Sequence, residues 1–511
     1  MNKITRKRMA KRKQIIRRRL RKIHWEDQPR AMFSASNIHY QLADRSSGIA
    51  CGGIGLVHML ARRTGLIEAL DQNLHLLKLH LPYHESDHVL NLAYNILAGR
   101  TCIEDLELLR NDKDYLDALG AQRIPDPTTA GDFCRRFEAS EVETLMNTFN
   151  EIRLKVWKQQ PTEFFAEAVI DADGVIAETT GECKEGMDLA YNGKWGYHPL
   201  VVSLANTGEP IFLVNRSGNR PSHEGAAEYL DRTFELSRRA GFRNILVRGD
   251  VDFTQTKHLD RWDADGTRFI FGIAAMRNLI GLAESLDSTA WKPLGRKPKY
   301  TVRTQPRRRP RKVKEAIVVQ REYKNIRLCS EQVAEFAYRP TFCKKTYRIV
   351  VLGKDLSVER GERKLFDDIR YFFYITNDRR KSAEEIVFSA NKRCNQENLN
   401  EQLLNGVRAM RMPVDNLLSN WAYMVMAAQA WTMKAWLALL LPVKGRWRKK
   451  HKAEKQAVLR MEFKTFLNAF MRLPCQIIRT GRRIVYRLLS WNPWQHVFLR
   501  AVDVVRYPLR C

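Results

Sequence analysis

The chain has 511 residues, enough for two to four domains, and its 44% hydrophobic content is ample for a core. Lys and Arg total 87 against 57 acids, a formal charge of +30, which points to a polyanion or an anionic surface as partner. The nine cysteines are dispersed, odd in number and free of any Cys-x-x-Cys pair, so no zinc site is expected and reduced thiols in a cytosol are.

Residues 1–22 hold 12 Lys or Arg and no acid; the first acid is Glu26. No apolar segment follows, so the start is not a secretory signal. It is a basic arm over 1–30, expected to be disordered or helical only on binding and suited to neutralising phosphates. Residues 31–160 are expected to form a helical DNA-binding domain. The stretches 52–60, 68–79, 87–97 and 104–112 show helical apolar spacing, and Asp126-Pro-Thr-Thr129 opens a further helix carrying Phe133 and Phe137.

The next stretch organises the rest. From Phe165, Ala168, Ile170, Ala172 and Ile176 alternate with Val169, Asp171, Asp173 and Val175. This alternation predicts a strand with Asp171 and Asp173 on one face. Two apolar runs follow, 197–204 and 210–214, divided by the turn Asn206-Thr-Gly208. A helix comes next, with Ser222 as its cap, a stripe of Ala226, Ala227, Leu230, Phe234 and Leu236, and Gly241 at its end. Ile245-Leu-Val-Arg-Gly-Asp250 then reads as a buried strand tipped by a carboxylate. Strand, strand, strand, helix, strand predicts a mixed α/β sheet, and acids from two strand ends could hold a divalent metal.

Beyond the strand at 268–273 the pattern changes. Residues 291–314 carry 11 Lys or Arg, four Pro and no acid. Short β-branched and aromatic runs follow them. Residues 276–370 therefore read as a β-rich insertion with a basic loop, not as a continuation of the sheet. The sheet signal returns at 371–376, and a helix follows, with Ser382 and Glu385 as a capping box. Arg393 and Glu397 in that helix share a face, which could bring a third acid to Asp173 and Asp250. Residues 411–511 read as helical and basic. The apolar stretch 421–442 is interrupted by Gln429, Thr432 and Lys434 and reads as a buried helix rather than a membrane span.

The anchors Asp171/Asp173, Arg248-Gly-Asp250-Val-Asp-Phe253 and Arg393-x-x-x-Glu397-Asn stand in the order of a DDE transposase with an RNase H-like core. The chain most closely resembles the bacterial insertion-sequence group numbered 1380, related to the group numbered four. Gly193-Lys-Trp-Gly-Tyr-His-Pro-Leu200 is similar to that family's Gly-Tyr-x-Pro-Leu run, and Asn215-Arg-Ser-Gly-Asn219 to its Gly-Asn turn. Two departures stand out. Ala390 and Leu404 occupy the Tyr and Lys positions of the related group's Tyr-x2-Arg-x3-Glu-x6-Lys signature, and Asp173-Gly-Val175 replaces the usual Asp-x-Thr.

The resemblance implies an α/β fold: an RNase H-like mixed-sheet catalytic core over 161–275 and 371–410, split by the insertion and flanked by helical regions. It implies catalytic and metal-holding roles for Asp173 or Asp171, Asp250 and Glu397. The family's register favours Asp173. Asp171 lies deeper in the apolar run and would need Arg393, another cation or a metal as partner. It implies two Mg²⁺ ions, with Mn²⁺ able to substitute, and phosphodiester cleavage followed by strand transfer. DNA contacts are expected from Arg393, Arg248, Lys392, Arg307, Arg308 and Arg309. The expected partners are terminal inverted repeats and target DNA, engaged by a homodimer, with no membrane involved, in a cytoplasmic, nucleoid-associated bacterial protein. Two other readings use the same residues: an RNase H-like nuclease without strand transfer, and a catalytically inactive basic DNA-binding protein.

Overall fold

The computed structural model describes residues 2–21, 35, 38–40, 46–80, 82–181, 183–296, 326–327, 330–356, 358–359, 362–363, 368–481 and 483–506. Nine strands build one mixed sheet: β1 (Ala168–Gly174), β2 (Leu200–Leu204), β3 (Glu209–Val214), β4 (Ile245–Gly249), β5 (Arg268–Ile273), β6 (Lys292–Pro293), β7 (Ser330–Tyr338), β8 (Tyr347–Asp355) and β9 (Ile369–Thr376). Their order across the sheet is β6-β7-β8-β9-β5-β4-β1-β2-β3. β1, β2 and β3 form an antiparallel meander, β4 runs parallel to β1, and β5 runs parallel to β4. These five strands make the expected RNase H-like mixed core.

Eight helices carry the rest of the account: α1 (Lys3–Arg21), α2 (Leu66–Asn73), α3 (Glu85–Leu97), α4 (Ala139–Trp157), α5 (Ala226–Ala240), α6 (Ala383–Asn391), α7 (Cys394–Glu401) and α8 (Leu417–Leu440). The alternation in β1 is realised. Ala168, Ile170 and Ala172 are fully buried, and Val169, which faces the other way with Asp171 and Asp173, packs against a second apolar cluster that includes Leu246 of β4 and Ile386 and Val387 of α6. The helix stretch 421–442 is core as expected: α8 packs across α3, α4 and β3. Glu209 of β3 ties these layers together. Fully buried, it accepts from Arg153 Nε (3.1 Å), Trp157 Nε1 (3.0 Å) and Trp436 Nε1 (3.0 Å). A buried carboxylate persists only with partners of this kind. Among the described residues no helix is long and apolar enough to cross a membrane.

The structure corrects three expectations. The described residues of 276–370 do continue the sheet: β7 and β8 pair antiparallel and join it through β9. Ile349, Val350, Val351 and Leu352 are all buried, so β8 is covered on both faces, as an interior strand must be. The described part of the arm is regular: α1 is a 19-residue helix whose Arg12 donates to the carbonyls of Leu488 (3.1 Å) and Ser490 (3.2 Å). Its Lys, Arg, Met and Leu content is helix-forming, with no Gly or Pro to break it. The C-terminal region is not wholly helical. Cys475–Thr480 and Arg483–Leu488 form a hairpin about Gly481, and Gly48–Ile49 adds a third strand to it. Residues 477–478 and 484–485 are β-branched pairs, which suit that pleated surface.

Candidate active site

The parallel pairing of β1 with β4 sets the site. Asp171 lies opposite Arg248 in register. Arg248 donates Nε (2.7 Å) and Nη2 (2.6 Å) to the two oxygens of Asp171, a bidentate pair with both residues buried. Its Nη1 donates to the Ser389 carbonyl (2.8 Å) and so ties α6 to the sheet. Continuing that register by two residues sets Asp173 opposite Asp250. Adjacent strands lie about 4.8 Å apart, so two carboxylates stand side by side at one end of the sheet.

A break in the helix after Asn391 brings α7 to these acids. Arg393, the residue before α7, places Nη1 3.5 Å from Asp173 Oδ2 and Nη2 3.8 Å from Asp250 Oδ2. Its Nη1 is buried without a hydrogen-bond partner. Asn400 donates to Asp173 Oδ2 at 2.9 Å. Gln396 in turn donates to Asn400 Oδ1 (3.2 Å) and accepts from Ser203 of β2. Glu397 lies on the same helix between Arg393 and Asn400, but its side chain is exposed. Arg393 therefore pairs with the two strand acids rather than with Glu397.

The electrostatics follow from this crowding. Burial pushes the Asp173 carboxyl up to about 6; Asp250 adds to the rise, and Arg393 and Asn400 oppose it. Asp250 is raised by burial and by Asp252, again against Arg393. Burial raises Asp171 too, and Arg248 pulls the other way. Paired carboxylate oxygens are the donors that hard divalent cations take, and Arg393 between them shows that this cleft accepts positive charge. Asp173 and Asp250 thus fit a divalent metal. Glu397 completes no compact cage with them here: among the described residues only His80, His84 and Glu85 bring three ligand atoms within 4.8 Å of one another.

The floor of the site restricts the residue that follows Asp173. A Cβ on Gly174 would come within 2.6 Å of His198 Nε2 and 3.1 Å of Ser222 Cβ, so the residue after Asp173 is confined to glycine. His198 is buried, its Nδ1 is 2.8 Å from the Arg220 carbonyl, and burial with Arg216 nearby lowers its pKa. Ser222 does not cap α5; Gly225, at φ 71°, precedes the helix. Arg216 instead gathers the loop, donating Nη1 to the carbonyls of Pro221, Ser222 and Glu224 and Nε to that of His198.

Of the residues expected to meet DNA, Lys392 is exposed beside the site and Arg393 points into it. Arg248 is 4% exposed with its donors taken inside the protein, so it is not available to DNA. Charge at the end of an apolar strand suggested a surface residue; a carboxylate in register on the next strand draws it inward. Arg307, Arg308 and Arg309 lie outside the described residues. Asn400, Gln396, Ser203 and His198 were not singled out. The spacing Arg393, Gln396, Asn400 marks one helix face and could have flagged two of them.

A family profile described as Transposase DDE domain group 1 matches residues 46–508. No curated protein matches the chain. Among solved structures, a piggyBac transposase synaptic complex with hairpin DNA is similar, with 10% sequence identity, coverage of 82% of this chain and 83% of that chain, and a TM-score of 0.36.

Proposed function

The chain belongs to the transposase DDE domain family, and from that premise we propose that it is the DNA transposase of a bacterial insertion sequence, binding the element's terminal inverted repeats and carrying out strand cleavage and strand transfer. The observation that carries this reading is the pair Asp173 and Asp250, side by side at one end of the β1–β4 pair and bridged by Arg393. Asp173 and Asp250, with Glu397 from α7, would hold Mg²⁺, or Mn²⁺ in its place. Such ions supply activation of a water or 3′-hydroxyl and stabilisation of the leaving oxygen.

The chain's own residues do the remaining work. Asn400 fixes the rotamer of Asp173 through its 2.9 Å bond. Asp171 acts on the site indirectly, by holding Arg248 and through it the end of α6. Arg393 and Lys392 face the incoming phosphate, where positive charge favours the transition state. The basic helix α1 tracks the DNA backbone, with two copies of the chain bridging paired ends.

Incubation with a labelled 3′-hydroxyl element end, a supercoiled plasmid and Mg²⁺ tests the proposal. Covalent joining of the end to the plasmid is expected. Nicking without joining would leave an RNase H-like nuclease, and binding without nicking an inactive DNA-binding protein.

A further inference from the structure

The junction between α2 and α3, which the proposed chemistry does not use, gathers His80, His84 and Glu85. Their ligand atoms all lie within 4.8 Å of one another. Glu85 opens α3 and is 1% exposed. Its Oε1 accepts the backbone N–H of Leu76 (3.1 Å) and Leu77 (3.0 Å), which fixes the carboxylate plane. Oε2 is left 3.1 Å from His80 Nε2. The His80 and His84 rings stack with centroids 4.4 Å apart and planes 16° apart. The backbone around them is pinned: Asp87 accepts the His84 N–H (2.9 Å), and Asp71 of α2 accepts the N–H and Oγ–H of Ser86 (2.9 and 3.0 Å). One carboxylate oxygen can satisfy one imidazole. A second ring stacked on the first, beside a buried carboxylate oriented by two amides, is more than an ion pair requires.

We propose that His80, His84 and Glu85 form a binding site for a divalent transition metal of the Zn²⁺ type, separate from the acids of β1 and β4. Tetrahedral zinc with bonds of about 2.0–2.2 Å keeps its ligands roughly 3.4 Å apart. His80 Nε2 stands 3.1 Å from Glu85 Oε2 and no two of the three ligand atoms are more than 4.8 Å apart, so small rotations of the exposed His80 and His84 rings would bring all three to a shared ion. Imidazole nitrogen selects this class of metal over Mg²⁺, which takes oxygen. The two amides on Glu85 are the orienting contacts that ligating carboxylates carry. Three protein ligands leave a fourth position open. The ion would clasp the segment between α2 and α3 to the start of α3. That segment lends Pro82 and Tyr83 to the wall of a cavity of about 390 Å³, which Asp87, Asn91 and Arg123 also line. The absence of paired cysteines argued against zinc, but this site uses none.

Equilibrium dialysis of the full chain against Zn²⁺, with Co²⁺ absorption as a report of tetrahedral coordination, tests the proposal. An Asp250→Asn background weakens the acidic site and should leave binding here unchanged. His80→Ala and His84→Ala alter exposed residues, so each should keep the wild-type far-ultraviolet spectrum while losing one equivalent of bound metal and the tetrahedral Co²⁺ bands. Zn²⁺ should also slow proteolysis between α2 and α3 in the parent and not in His80→Ala. Equal stoichiometry and affinity in both histidine variants would overturn the assignment, as would failure of the parent to bind an equivalent of Zn²⁺.

Discussion

Asp171→Asn separates a structural carboxylate from a metal ligand. Asp171 and Arg248 are 1% and 4% exposed. Asparagine offers Arg248 one oxygen in place of the two that accept at 2.7 and 2.6 Å, and it leaves the buried guanidinium charge uncompensated. Breaking such a pair from one side costs about 3–5 kcal/mol, whereas replacing both partners with hydrophobic residues of similar volume is often close to neutral. Asp171→Asn should therefore lower the stability of the metal-free protein by that amount, and Asp171→Leu with Arg248→Met, which removes both charges and leaves no buried amide unpaired, should recover most of it. Arg248→Met also gives up the bond to the Ser389 carbonyl, but Ile386 and Val387, both fully buried, still hold α6 to the sheet. Urea unfolding followed by tryptophan fluorescence measures the stability, and plasmid nicking measures the function. The double variant should nick in Mg²⁺ while Asp173→Asn does not. If Asp171→Asn keeps full stability yet cannot nick, and the double variant is equally inert, Asp171 is a ligand and the reasoning fails.

Three further outcomes follow from the same geometry. Asp173 is raised from 3.8 to about 6, so folding favours its neutral form. The stability this contributes is fully present below pH 3.8 and is lost as pH rises through about 6. Divalent-metal affinity runs the other way, because the ligand must be charged, and calorimetric titration with Mn²⁺ should show it weakening as pH falls through about 6. Asn400→Ala removes a hydrogen bond to a carboxylate worth about 1.5–3 kcal/mol. It should slow nicking by about tenfold to a hundredfold with little change in end binding, and an unaltered rate would remove Asn400 from the site. Deleting residues 1–22 should flatten the salt dependence of DNA binding, each lost phosphate contact reducing the log–log slope by about 0.9; an identical slope would make α1 a bystander.

Much of the core was legible because strand periodicity is a local signal. The alternation in β1 put Asp171 and Asp173 on one face, and the capping pair Ser382–Glu385 marked the start of α6. The register between β1 and β4 is not local. It decides that Asp171 meets Arg248 while Asp173 meets Asp250, and no spacing in either strand states it. The same holds for β7 and β8, whose β content was readable but whose docking onto β9 depends on a partner far along the chain. Asn400 was missed because a short amide in a polar helix resembles a solvent-facing residue until the opposing carboxylate is known. The arm was read from its charge, whereas its helix follows from propensity and from a contact with a hairpin more than four hundred residues away.

The proposed function rests on Asp173, Asp250 and Glu397 performing metal-dependent chemistry on bound DNA. The most direct test measures end binding and Mg²⁺-dependent cleavage side by side in Asp173→Asn, Asp250→Asn and Glu397→Gln. Each change removes a carboxylate charge and no phosphate-binding cation, so cleavage should vanish in all three while end binding stays near the wild-type level. Cleavage that survives in any one of them, or binding that falls in step with cleavage, would contradict the assignment.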